Sequence, residues 1–282
     1  MLFSIYHKTN YFFSEPVFLE PHIFRFYPSN AISGKLHDFK LEISPKPMGI
    51  SFQTDVEKNP HHWAWFEGTT KELEIKAAIK IKNLEFNPFN FIYPSAKYGT
   101  VPFIYTAQIK PYLNNYLNYE DLSFQLKEYG DQLLAENNKE TIPFLGSFTN
   151  KISQDFTIEE RELGSPLPAN ETFYLKTGSC RDLAWMQIQV LRSMKIASRF
   201  ASGYYYVDQE QPSFELHAWV EAYIPGAGWL GLDPTAGLFT GSNYVTIASS
   251  ADYANTYPVQ GNIRGSAETS LKTHLDIQLL AE

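Results

Sequence analysis

Three residues in this chain have the types and the spacing of a nucleophilic relay. Cys180 sits in Gly178-Ser179-Cys180-Arg181-Asp182, at the head of a stretch of about seventeen residues that reads as a helix. His217 lies in Leu216-His217-Ala218-Trp219 and Asp233 in Leu232-Asp233-Pro234, each within a segment that reads as a strand. A thiol in the first turn of a helix meets unpaired backbone N–H groups and the positive end of the helix dipole, both of which favour the thiolate. A neighbouring histidine can take the proton and return it to a leaving amine, while an aspartate fixes the imidazole tautomer and stabilises its charged form. Such a set attacks an acyl carbon. The Cys180 N–H would supply one oxyanion donor, and the sequence identifies no second. Cys180 is the only cysteine. A lone cysteine is ordinarily a small buried apolar residue, and it is the helix-terminal position that sets this one apart.

The elements that must hold these residues are well signalled. Ser179 can cap the helix, with Asp182 three residues on in the place of the usual capping-box Glu. Ala184, Ile188 and Leu191 fall on one helix face, flanked by Leu183, Val190 and Met194. Beyond the helix the pattern predicts strands over 199–207, 214–224, 228–233 and 243–248. Alternation sets Glu215, His217, Trp219, Glu221 and Tyr223 on one face of the second strand, opposite the apolar Leu216, Ala218, Val220 and Ala222. The turn Pro225-Gly226-Ala227-Gly228 leads into the Asp233 strand. A turn centred between Gly226 and Ala227 pairs His217 with Ala236, so an asymmetric loop or a bulge is needed to bring Asp233 to His217.

The first ninety residues read as β-structure. Leu73, Ile75, Ala77, Ile79 and Ile81 alternate with mostly charged neighbours from Glu72 to Lys82, and Phe39, Leu41 and Ile43 repeat the pattern. Residues 86–102, rich in Pro, Gly and aromatics, read as an ordered linker, followed by helical stretches over 119–137 and 141–156. A last strand runs from Leu271 to Leu279. The fold class expected is α+β: an N-terminal antiparallel β-domain over 1–95, a catalytic region over 100–265, and a terminal strand in 266–282 that could return to either sheet.

Composition narrows the functions. The 282 residues are 44% hydrophobic and 19% charged, which is globular composition. Residues 1–100 carry 11 Lys/Arg against 10 Asp/Glu, while 101–282 carry 12 against 21. An acidic body without a basic stripe argues against nucleic acid and anionic membranes as partners. One cysteine allows no internal disulfide, and neither a signal-peptide pattern nor an 18-residue apolar run is read, so a soluble cytoplasmic protein is expected. Oligomeric state is not legible. His61 and His62 have no partner at metal-ligand spacing, no phosphate loop or dinucleotide fingerprint occurs, and no metal or cofactor is expected.

An ordered set of motifs carries a family resemblance. Thr177-Gly178-Ser179-Cys180-Arg181-Asp182-Leu183-Ala184, Ser202-Gly203-Tyr204, His217-Ala218-Trp219-Val220-Glu221, Pro225-Gly226-Ala227-Gly228-Trp229 and Leu232-Asp233-Pro234-Thr235 resemble the transglutaminase-like superfamily. His7 to Tyr11, Pro16 to His22, Asp252-Tyr253-Ala254 and Pro258-Val259 are similar to its bacterial members with an N-terminal β-domain. The resemblance implies a papain-like core with a Cys-His-Asp triad, carried onto Cys180, His217 and Asp233. Two positions depart from the pattern: Tyr244-Val245 stands in place of His-Ile, and Ser250-Ala251 in place of Gly-Arg. The function expected is cysteine-dependent amide or peptide hydrolysis. Amine transfer to glutamine is the alternative, and a non-catalytic binding protein on this scaffold is the second.

Overall fold

The computed structural model describes residues 1–29, 34–161, 164–208 and 216–281. Six strands open the chain: β1 (Leu2–Leu19), β2 (His22–Phe24), β3 (Gly34–Ser44), β4 (Gly49–Thr54), β5 (Pro60–Trp65) and β6 (Thr70–Asn83). Helices follow as α1 (Lys110–Leu113), α2 (Phe124–Glu136), α3 (Thr141–Asp155), α4 (Ala169–Leu175) and α5 (Cys180–Ser193), with short strands β7 (Thr157–Ile158) and β8 (Thr177–Gly178) between them. The chain then returns to strands: β9 (Ser198–Tyr205), β10 (Leu216–Ile224), β11 (Gly228–Asp233), β12 (Leu238–Phe239), β13 (Tyr244–Ser250), β14 (Val259–Gln260), β15 (Ile263–Arg264) and β16 (Thr269–Leu280). The fold is α+β, with an antiparallel N-terminal region and a helix-on-sheet core.

The alternation read over 72–82 becomes β6, which pairs with β1 on one side and β3 on the other and buries Leu73, Ile75, Ala77, Ile79 and Ile81. The terminal strand joins this sheet. β16 runs antiparallel along β1 from Leu2↔Leu280 to Phe13↔Thr269. A second sheet has the order β14-β2-β5-β4, and the core sheet has the order β12-β11-β10-β9-β13.

Some expectations shift. The helix read over 119–137 begins at Phe124, because Ser123 caps it by accepting from the Leu126 N–H at 3.2 Å. The strand read from 214 is described from Leu216; residues 214 and 215, including the predicted facing of Glu215, lie outside the described residues. The linker is a structural part of the core. Its Tyr98 and Val101, with Phe103 and Tyr105 just beyond it, are buried in the cluster that holds α5, and the Tyr105 hydroxyl accepts from Ala197 N–H and donates to the Tyr223 carbonyl. The helix α5 is also more than amphipathic: every residue from Asp182 to Arg192 is buried. Each of its buried polar side chains makes at least one hydrogen bond, although Gln187 Oε1 has no partner among the described residues. Gln187 donates to Thr149 Oγ1, Gln189 accepts from Glu120 N–H, and Arg192 donates to the carbonyls of Ser198, Asn118 and Ala251.

The N-terminal region grips the core along β13. All seven residues of β13 are buried, and the strand ladders only with β9 among the described residues. Its other edge is met by side chains and backbone from the first ninety residues. Asn83 Nδ2 donates to the carbonyls of Ser242 and Tyr244, and Ser29 N–H donates to the Thr246 carbonyl. Asn59 makes a two-bond clamp, donating to the Ser249 carbonyl at 2.9 Å and accepting from the Ser249 N–H at 2.8 Å. Beside these bonds, Phe3, Ile5, Ile79, Ile81 and Ile277 share an apolar cluster with Tyr204, Val245 and Ile247.

This arrangement predicts that Asn59→Ala strands a buried N–H and a buried carbonyl on Ser249, at about 1–3 kcal/mol for each unsatisfied group. Urea unfolding followed by far-UV circular dichroism and by Trp219 fluorescence is expected to show one destabilised transition. Two separated transitions in the wild-type chain would mean that the halves do not depend on this edge.

Candidate active site

Cys180 is the first residue of α5 and is half-buried. The turn that presents it is held by the carboxylate of Asp182, which is 1% exposed. Its Oδ2 accepts from the Ser179 N–H and Oγ–H, each at 2.7 Å, and its Oδ1 accepts from Arg161 at 2.5 Å and the Leu167 N–H at 2.7 Å. Asp182 therefore does the work expected of a capping-box Glu and also ties down the loop before α4. Arg181 adds bonds to the carbonyls of Gly164 and Arg161.

His217 comes from the start of β10. Gly203 in β9 is its ladder partner, and a Cβ there would lie 2.1 Å from the Val245 carbonyl oxygen and 2.9 Å from the Trp219 ring. Only glycine lets β13 and Trp219 close in beside the histidine. Tyr205 stacks on the imidazole with centroids 5.3 Å apart.

Asp233 reaches His217 through the hairpin register. The pairing begins at Ile224↔Gly228 across the three-residue loop Pro225-Gly226-Ala227, with Gly226 and Gly228 at positive φ of 101° and 81°. This asymmetric loop shifts the register by one from a turn centred between Gly226 and Ala227. Extended one step past Val220↔Leu232, it sets Asp233 opposite Trp219, on the His217 face. The one-residue difference decides which side of the sheet the carboxylate occupies. The chain turns away after Asp233, whose Oδ1 accepts from the N–H groups of Thr235 and Ala236 at 2.9 and 3.2 Å.

The three predicted residues meet. Asp233, with a fully buried side chain, bonds His217 Nε2 at 2.7 Å, and Cys180 lies near enough to the imidazole to add to the upward pull on it. Since Asp233 takes Nε2, the thiol is left with Nδ1. Burial by itself pushes the imidazole down, but the Asp233 charge and hydrogen bond, helped by Cys180, outweigh it and hold His217 at about 10. Burial pushes Asp233 up, and the charge and hydrogen bond of His217, with donors from Tyr244 and Ala236, bring it below its ordinary value. The arrangement favours an imidazolium–carboxylate pair next to the thiol.

One site residue was not assigned a role from sequence. Tyr244 donates its hydroxyl to Asp233 Oδ2 at 2.7 Å. Its only trace in the sequence is the departure from His-Ile. The other departure lies elsewhere: Ser250 pairs with Phe200, toward the far end of β9 from Gly203, and the Ala251 carbonyl receives Arg192. Among the described residues no group of three or more His, Cys, Asp or Glu is placed to hold a metal ion. No helix of the described residues is long and apolar enough to cross a membrane.

Comparison with known proteins matches residues 3–82 to the bacterial transglutaminase-like N-terminal region and residues 128–234 to the transglutaminase-like superfamily. The chain is a member of the transglutaminase-like superfamily. A solved structure from Cytophaga hutchinsonii, described as a candidate cysteine protease, shares this transglutaminase-like fold from end to end. It has a TM-score of 0.74 at 21% identity, covering 100% of this chain and 91% of that one. An uncharacterized protein of Mycobacterium tuberculosis is 21% identical over 290 aligned positions, covering 95% of this chain and 90% of the relative. Another, from Mycobacterium leprae, is 31% identical over 109 positions, covering 37% of this chain and 38% of that one.

The ion pair in this transglutaminase-like site sets a pH signature. His217 is raised from 6.5 to about 10, so its contribution to stability is complete below pH 6.5 and is lost as pH rises through 10. Asp233 is lowered from 3.8, so its contribution is complete above that value and is lost in acid. The destabilisation caused by His217→Gln, read by urea denaturation, is therefore expected to be largest between about pH 4 and 6.5 and to shrink toward pH 10. A penalty that grows with alkali would contradict the ion pair.

Proposed function

We propose that this chain is a cysteine-dependent amide or peptide hydrolase that works through a thioester on Cys180. The observation that carries the reading is one imidazole shared between the chain's only thiol and a fully buried carboxylate. In this reading the Cys180 thiolate adds to the substrate carbonyl while the negative charge moves to its oxygen. The N–H of Cys180, in the first helical turn, faces that oxyanion. The His217 imidazolium then gives its Nδ1 proton to the departing amine, leaving a thioester. Water, deprotonated by the neutral imidazole, attacks the thioester, and the thiol leaves as the acid is released. Asp233 keeps Nε2 protonated throughout and balances the imidazolium each time it forms.

A peptide or protein is the proposed substrate. The fold neighbour from Cytophaga hutchinsonii, described as a candidate cysteine protease, supports hydrolysis. Transfer to an amine begins from the same thioester and differs only in the nucleophile that resolves it.

The test uses glutamine-containing peptides with and without a labelled primary amine, the products being read by mass spectrometry. Free acid is expected as the main product, and labelled conjugate at low amine would make the protein a transferase. Cys180→Ala and His217→Ala are each expected to lower turnover at least about 10³-fold, and Asp233→Asn about 10²–10⁴-fold with the fold retained. His217→Ala is also expected to slow iodoacetamide labelling of Cys180 at neutral pH. Unchanged labelling would remove His217 from the reading.

A further inference from the structure

Asp233 serves two partners with one oxygen. Its Oδ2 accepts from His217 Nε2 and from the Tyr244 hydroxyl, both at 2.7 Å, while its Oδ1 is occupied by backbone N–H groups. Tyr244 has little freedom to do otherwise. It is 3% exposed, its ring stacks on Tyr205 at 4.4 Å, and it meets Trp219 edge-on at 5.3 Å. Its carbonyl is held by Asn83 Nδ2 at 2.8 Å. Burial, followed by the Asp233 charge, pushes the Tyr244 phenol far above its ordinary range, so it stays a donor at any working pH.

The titratable groups around the His217 ring come from four elements: the Cys180 thiol on α5, the Asp233 carboxylate on β11, and the phenols of Tyr205 on β9 and Tyr244 on β13. Of these, Asp233 exerts the strongest upward pull on the imidazole. A donor that shares Oδ2 draws off part of that oxygen's charge and so weakens the pull. The effect has a chemical use, because an acid held too far above the working pH releases its proton poorly.

We propose, resting on the reading of Cys180, His217 and Asp233 as the reacting set, that Tyr244 is a positioning residue that fixes Asp233 Oδ2 and moderates its hold on the His217 imidazolium. It acts through Asp233 and touches neither the thiol nor the substrate carbonyl in this role. Tyr244 thereby becomes part of the site's electrostatics.

The experiment is an imidazole ¹⁵N titration of the full chain, with His217 assigned by its loss in His217→Gln. Tyr244→Phe removes the donor and keeps the ring. It is expected to raise the His217 midpoint by roughly half to one pH unit. The alkaline inflection of iodoacetamide labelling at Cys180 is expected to move by the same amount. Tyr204→Phe, on β9, provides the comparison: it removes a buried hydroxyl that contacts His7 of β1 at 3.1 Å. It is expected to cost stability and leave the His217 midpoint in place. A midpoint unchanged or lowered in Tyr244→Phe would overturn the proposal, as would identical behaviour of the two variants. Should Tyr244→Phe not fold, the wild-type spectrum decides: a slowly exchanging Tyr244 hydroxyl proton with an Overhauser contact to the His217 Nε2 proton is expected, and its absence overturns the proposal. Labelling of Cys180 that ignores His217→Ala would refute the triad itself, a result distinct from a fixed His217 midpoint in Tyr244→Phe.

Discussion

A strand buried along its whole length must satisfy both of its edges, and among the described residues β13 has a ladder on only one. The other edge faces the N-terminal region, where Asn83, Ser29 and Asn59 supply the missing partners at Ser242, Tyr244, Thr246 and Ser249. Much of the architecture follows from this constraint. It explains why an antiparallel module lies against the core, and why polar amides are buried at the junction. It also reaches the site, because the residue whose carbonyl Asn83 holds is the residue whose hydroxyl meets Asp233.

The same logic governs the aspartate. A carboxylate with no exposure to water is tolerable only when its lone pairs are filled, and Asp233 fills them with two backbone N–H groups, a phenol and an imidazole. Two of these donors are backbone groups of the turn after β11, and two are ring side chains carried by β10 and β13. The carboxylate is thus held from a turn and from two strands at once.

What could be seen in the sequence was what local chemistry writes down. Ser179 and Asp182 announce a helix start, alternation over 72–82 announces a strand, and a cysteine between them and the downstream strands draws attention to itself. What could not be seen depends on pairing across distance. The loop Pro225-Gly226-Ala227 differs from a symmetric turn by a single residue, and nothing in local propensity selects that register; the φ values of Gly226 and Gly228 do. Tyr244 looked like a departure from a pattern because its meaning lies in a contact with β11, eleven positions away and across the sheet. Gln187, Gln189 and Arg192 are polar yet buried in α5, since a sequence shows polarity but not the Thr149 hydroxyl, the Glu120 N–H and the carbonyls that meet it.

The pairing of β16 with β1 bears on the order in which the chain can assemble during synthesis. β9, β10, β11 and β13 are close in sequence and can form their ladder soon after they emerge. β1 has β6 as an early neighbour but must wait for β16 to cover its other side from Leu2 to Phe13. Until then the N-terminal sheet carries a long unpaired border, the kind of surface that recruits other chains. The pairing of β1 with β16 is in this sense a drawstring, pulled closed after the ladder that carries His217 and Asp233.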